Sequence, residues 1–184
     1  MLSDRSFIMF RKKVKIFLKH ILIFFILVYI MSSVFFSLVL TMPKSLYSYN
    51  GTAVRNTAES QIGNIGGEKY WRWFGSEKRI EWCACFVSWC INSNYDGVPK
   101  FSSCSKTAVW LRQQRLFYKS NITPKPGMIV FFDWDNDNSP DHTGIVDYVS
   151  ADYLHTIEGN NKDRCIKSKY PVKSDVIYGY GAVF

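Results

Sequence analysis

The sequence predicts an α+β domain, with N-terminal helices packed on an antiparallel β-sheet, preceded by one transmembrane helix. Three observations lead there. Residues 21–40 form an uncharged apolar run. The stretch from Thr52 to about residue 115 carries helical spacing, and the segments after Pro124 are short, β-branched and aromatic. Helices first and strands later imply an antiparallel sheet rather than alternating βα units. At 184 residues, 47% of them hydrophobic, the chain has room for one packed domain and an N-terminal extra.

The first segment, residues 1–20, holds six basic side chains against the single acid Asp4. Most of the net charge of +8 therefore sits in this tail. That distribution argues against nucleic-acid binding, which uses a basic face on the folded domain itself. Residues 21–40, ILIFFILVYIMSSVFFSLVL, span about 30 Å as a helix and match a bilayer core. The basic cluster before them predicts a cytoplasmic N-terminus, with everything from Thr41 onward outside. A cleaved signal peptide is the competing reading, but its apolar region is shorter and Leu38-Val39-Leu40 fits its cleavage site poorly. Either case exports the domain. Residues 41–51 read as a linker, and 52–184 as the folded domain.

Within that domain, Val54, Ala58 and Ile62 recur every fourth residue, with Gly63 as a stop. Residues 82–92, WCACFVSWCIN, are apolar nearly all round, so this helix is buried on most sides. No Ser, Thr, Asp or Asn precedes it as a cap. A third helix is predicted over 105–115. Pro124-Lys125-Pro126-Gly127 marks a turn. Strands follow at 128–132, 143–149, 153–158, 166–170 and 176–183, with Ala151-Asp152 as a hairpin turn.

Cys83 lies in the first turn of the buried helix. Partial positive charge there favours a thiolate, and the unpaired N–H groups can meet a developing oxyanion. A thiol nucleophile needs a base. Of the three histidines, His20 borders the apolar run, which leaves His142 and His155. Glu158 is three residues from His155, so the two point to opposite faces of their strand. Glu158 can instead orient His142 from a neighbouring strand. The set is then Cys83, His142 and Glu158, with Asn160 at the same strand end. Cys85 sits about 200° round the helix from Cys83 and is read, with Cys90, as core.

The strings WCACFVSWC, PKPGMIVFFDWDNDNSPDHTGIV and TIEGN, in that order, resemble the CHAP family of cysteine- and histidine-dependent amidohydrolases and peptidases. The resemblance runs from about Val54 to Phe184. It implies a papain-like fold, Cys83 as nucleophile, His142 as base and Glu158 as orienting acid, with Asn160 completing the set. It also implies peptidoglycan as substrate, cut as an N-acetylmuramoyl-L-alanine amidase or a peptide endopeptidase would cut it. The residues alone indicate thiol-dependent amide cleavage. A catalytically idle wall-binding or scaffold module, or a thiol amidase acting on a non-wall amide, are the alternatives.

No cofactor or metal is expected. Asp133, Asp135 and Asp137 begin like a calcium loop, but Asn138 and Gly144 stand where an EF-hand needs Gly and Glu. An acidic hairpin loop is the reading. No C-x-x-C pair occurs among the five cysteines, and their odd number leaves at least one thiol free. If any two pair, Cys85 with Cys104 is the expectation. Tyr70, Trp71, Trp73 and Phe74 are read as core before groove, and Trp110 and Trp134 are open between the two.

Overall fold

A computed structural model describes the backbone of residues 4–41 and 50–183, with side chains for 11–33 and 50–183. The chain divides into two compact units, 1–43 and 44–184. The described residues of the first form one helix, α1 (Asp4–Thr41). Within it Arg11–Ser33, with mean hydropathy 2.2, is long and apolar enough to cross a membrane. The expected linker falls mostly on residues 42–49, outside the described residues.

The second unit opens with α2 (Thr52–Glu59), α3 (Glu68–Phe74), α4 (Cys83–Asn92) and α5 (Cys104–Gln113). Six strands follow: β1 (Phe117–Lys119), β2 (Ile129–Phe132), β3 (His142–Ser150), β4 (Tyr153–Asn161), β5 (Arg164–Pro171) and β6 (Ile177–Gly181). They form one antiparallel sheet in the order β1-β6-β2-β3-β4-β5. The α+β expectation holds. Two elements lie beyond the expected set. The aromatic stretch around Tyr70 is α3, closed at both ends by left-handed glycines, Gly67 and Gly75. Strand β1 is short and depends on pairing with β6. Helix α2 stops at Glu59, four residues before Gly63.

The sheet is buried on both faces in its centre, which is why β2 reads as a continuous apolar run rather than an alternating one. On one face Ile129, Phe131, Ile145 and Ile157 meet the helices. On the other, Val130, Phe132, Val146 and Leu154 form a second cluster with Met128 and Tyr180. Helix α4 is buried almost completely, with Trp82, Cys85, Phe86 and Cys90 in the first cluster. Tyr70 of α3 stacks on Trp82 at 5.4 Å between ring centres and meets Phe86 edge-on. Tyr70 and Trp71 are therefore core.

Gly159 lets α4 lie directly on β4. A Cβ at that position would stand 2.5 Å from the Cβ of Phe86 and 2.8 Å from the Trp82 ring. This close approach fixes the N-terminus of α4, and hence Cys83, against the ends of β3 and β4.

Candidate active site

The sheet register brings His142 and Glu158 together. Strands β3 and β4 pair with Ile145 opposite Ile157, so continuing that register sets Gly144 opposite Glu158. His142 is two residues from Gly144 on the same face, a diagonal neighbour of Glu158. Gly144 is necessary to this arrangement, because a Cβ there would lie 2.7 Å from Cγ of Glu158. The carboxylate passes over the glycine, and Nε2 of His142 bonds Oε2 of Glu158 at 3.0 Å.

Glu158 is fully buried. An ionised carboxylate tolerates that only when its oxygens are well supplied with donors. Thr156 Oγ1 donates to Oε1 at 2.5 Å, Asn161 Nδ2 to Oε2 at 2.9 Å, and Tyr170 Oη to Oε2 at 3.3 Å. Burial pushes the carboxyl pKa up, but the bond and charge of His142, with the Thr156 and Asn161 bonds, outweigh it and hold the pKa below the ordinary value.

With Nε2 committed to Glu158, the remaining ring nitrogen, Nδ1, is the one free to face sulfur, and the interaction of His142 with Cys83 shifts the titration of both groups. Burial lowers the imidazole pKa. The bonds to Cys83 and Glu158 and their charges more than reverse this, raising it to about 9. Cys83 is the first residue of α4, and Trp82 at the N-cap supplies no side-chain cap. The thiol of Cys83 lies well below its ordinary range. The largest cause is the hydrogen bond shared with Cys104; burial opposes it, and the interaction with His142, its charge and the N–H of Ala84 add to it. Cys83 is 6% exposed and the His142 side chain 13%, so their charges interact with little screening from solvent.

Trp134 is exposed and stacks on Phe132 at 5.0 Å with the rings nearly parallel. It lines a cavity of about 290 Å³ with His142, Asn160, Asn161 and Lys162. Asn160 thus borders the cleft, but its amide donates to Glu81. The asparagine that reaches the carboxylate is Asn161, one residue further on. Asn160 has φ of +60°, and this left-handed turn at the strand end brings Asn161 round to Glu158.

The expected Cys85–Cys104 pair does not form. All five cysteines are free, and Cys104 lies instead beside Cys83, with Sγ 3.6 Å from Sγ. Cys85 is buried and its thiol is pushed up to about 12, first by burial and then by the charge of Cys83. His155 stacks on Tyr148 at 4.2 Å, on the far part of the hairpin. In the acidic loop, Asp133, Asp135 and Asp141 bring carboxylate oxygens within 4.8 Å of one another. Those carboxylates already accept backbone N–H groups: Asp137 and Asn138 donate to Asp133, Asp137 also to Asp135, and Trp134 to Asp141.

Thr156 could have been found from the sequence, since it lies two residues before Glu158 and so shares its face. Tyr170 and Cys104 carried no such local signal, because their positions depend on the pairing of β5 and the docking of α5.

No curated protein matches the chain. Two crystal structures are similar to it. That of Ly7917 gives a TM-score of 0.48 at 16% identity, over 71% of this chain and 61% of that one. That of Ly7917 with the hydrolyzing product of MDP gives 0.50 at 18%, over 72% and 62%. This chain therefore spans less than two thirds of the length of either. A family described as CHAP domain matches residues 75–160, a segment that contains Cys83, His142, Glu158 and Asn160. The likeness to the CHAP domain family thus covers the segment that carries the candidate site.

Proposed function

We propose that this chain is a peptidoglycan hydrolase that cleaves amide bonds through Cys83, His142 and Glu158. It acts as an N-acetylmuramoyl-L-alanine amidase or as an endopeptidase of the wall peptides. The observation that carries the reading is the linked row of Cys83, His142 and buried Glu158 inside the CHAP-matching segment. The solved relative bound to the hydrolyzing product of MDP supports the substrate class.

In the resting site the proton is on the imidazole and the sulfur is the anion. The sulfur attacks the amide carbonyl carbon, and the oxygen takes the negative charge beside the open N-terminus of α4, where the N–H of Cys83 is a donor. As the C–N bond breaks, Nδ1–H of His142 gives its proton to the departing amine. The acyl group is left as a thioester. Water then attacks it, His142 takes the water proton, and the acid and the thiolate are released. Glu158 holds the ring orientation and stabilises its charge throughout. Asn160, at the rim of the same cleft, contacts the substrate. The reaction needs no cofactor.

The apolar helix anchors the chain in the cell membrane as a single pass, with the basic tail in the cytoplasm and the domain outside. The domain is secreted instead if the N-terminal segment is removed. Neither form calls for a nucleic-acid partner.

Purified cell walls incubated with the full chain should lose turbidity. Mass spectrometry of the fragments should show one class of newly freed amine and carboxyl ends, and Cys83→Ala should release none. Undigested walls, with Cys83 alkylated readily at neutral pH, would move the assignment to a thiol amidase of another amide. Undigested walls with an unreactive Cys83 would leave an idle wall-binding module.

A further inference from the structure

Two buried sulfurs meet at the mouth of α4, and the reaction above uses one. Cys104 is the first residue of α5, and Ser103 before it caps that helix by accepting from the N–H of Lys106 at 3.3 Å. The thiol is thus not needed to close its own helix. It points across to α4, 3.6 Å from the sulfur of Cys83, and lies 3.6 Å from the carbonyl oxygen of Asp141. Asp141 immediately precedes His142, and its carboxylate is turned to the loop, accepting from the N–H of Trp134 at 2.7 Å. One small side chain therefore touches both the nucleophile and the base of β3.

We propose that Cys104 is a positioning residue for the reaction: its S–H donates a hydrogen bond to the Cys83 sulfur and fixes both the direction and the charge of the nucleophile. This rests on the assignment of Cys83 as nucleophile and adds a residue to that site.

Two thiols this close and this buried cannot both ionise. The anion resides on the sulfur with the better company. Cys83 has the imidazolium of His142 and the N–H of Ala84, and Glu158 lies beyond that ring. Cys104 faces the backbone carbonyl of Asp141 and lies within reach of the negative charge of that residue's carboxylate, both unfavourable to a second anion. Its proton is held: the bond to Cys83, then burial, raises its pKa far above the ordinary thiol range. Cys85, on α4 itself, is the other nearby thiol and also stays protonated. Given one proton and two acceptors, Cys104 donates to the charged sulfur rather than to the neutral carbonyl, because a charge-assisted bond is the stronger. A sulfur held from the α5 side and by His142 is left with its open direction toward the cleft.

The test reads the charge of Cys83 without a wall substrate. The full chain in mild detergent is alkylated with iodoacetamide across a pH series, the adduct is located on Cys83 by mass spectrometry, and folding is followed by thermal melts. Wild type, Cys104→Ala and Cys104→Ser are compared. Wild type should react down to low pH. In Cys104→Ala the midpoint of the acid limb should move up by about one pH unit, a roughly tenfold loss of thiolate along that limb. Its plateau should rise slightly, since a less stabilised thiolate is the better nucleophile. Cys104→Ser keeps a donor, so its midpoint should stay at or below that of wild type. Superimposed limbs for wild type and a folded Cys104→Ala overturn the proposal. A Cys104→Ser midpoint shifted upward does the same, whether or not the alanine variant folds, because it reduces Cys104 to packing. A wild type without a low-pH limb removes the nucleophile assignment itself and this inference with it.

Discussion

Replacing Cys83 with Ala should change how folding stability depends on pH, in a way worked out from proton counts. The unfolded chain loses the imidazole proton near pH 6.5 and the thiol proton near 9.0. In the folded protein the imidazole is raised to about 9 and the thiol lowered. Taken singly, the raised imidazole contributes stability that is full below 6.5 and is lost as pH rises through about 9. The lowered thiol contributes stability that is full above 9.0 and is lost as pH falls through its folded value. The ion pair requires the thiol to ionise below the folded imidazole value of about 9, and three pH ranges follow if it also ionises below 6.5. Between that ionisation and pH 6.5 the unfolded chain holds one more of the pair's protons than the folded chain, so stability rises by about 1.4 kcal/mol per pH unit. From 6.5 to about 9 each state holds one, and the contribution is flat. Cys83→Ala keeps only the imidazole half, still supported by Glu158. Its curve should be flat below 6.5 and then fall by about 1.4 kcal/mol per unit until His142 itself titrates. Urea midpoints read by tryptophan fluorescence, from above 4.5 so that Glu158 stays ionised, give both curves. Groups elsewhere cancel in the difference. Parallel curves would refute the thiolate–imidazolium pair, whatever the activity of either protein.

Glu158→Gln removes a buried charge with four donors around it. The imidazole pKa should drop from about 9, activity should fall by at least about a hundredfold, and an NMR titration of His142 checks the first of these. Gly159→Ala forces a methyl into Phe86 and Trp82. It should cost about 1–3 kcal/mol in urea unfolding and slow alkylation of Cys83 by lifting α4 from the sheet; an unchanged rate would disprove that link. Asn161→Ala removes a donor from buried Glu158 and should cost about 1–2 kcal/mol, whereas Asn160→Gly, which keeps the left-handed turn, loses only an exposed bond to Glu81 and should stay within about 0.5 kcal/mol. The reverse order in chemical denaturation would contradict the different partners of the two side chains.

Much of this arrangement was legible before any coordinates. The apolar circumference of residues 82–92 required burial, and the two-residue period of 153–158 was enough to separate Glu158 from His155. What stayed hidden depends on events not coded locally. Nothing around residue 70 has helical periodicity long enough to announce α3, whose ends are set by two left-handed glycines. Asn160 and Asn161 are adjacent and chemically alike, so only the backbone turn at Asn160 decides which one serves the carboxylate. The sequence offers Cys104 as a partner for Cys85. Its true neighbour follows from how α5 docks, and a single cysteine gives no sign of that.

Helix α4 begins without a side-chain cap from the residue that precedes it, Trp82. Such an omission leaves a helix less stable by about 1 kcal/mol. A Ser or Asp in place of Trp82 would remedy it only by filling, with its own oxygen, the space a reacting carbonyl must enter, and by giving up the ring that seats α3. The fold thus keeps one end of its most buried helix unfinished, and in the proposed reaction it is a bound substrate that would complete it, for the lifetime of one turnover.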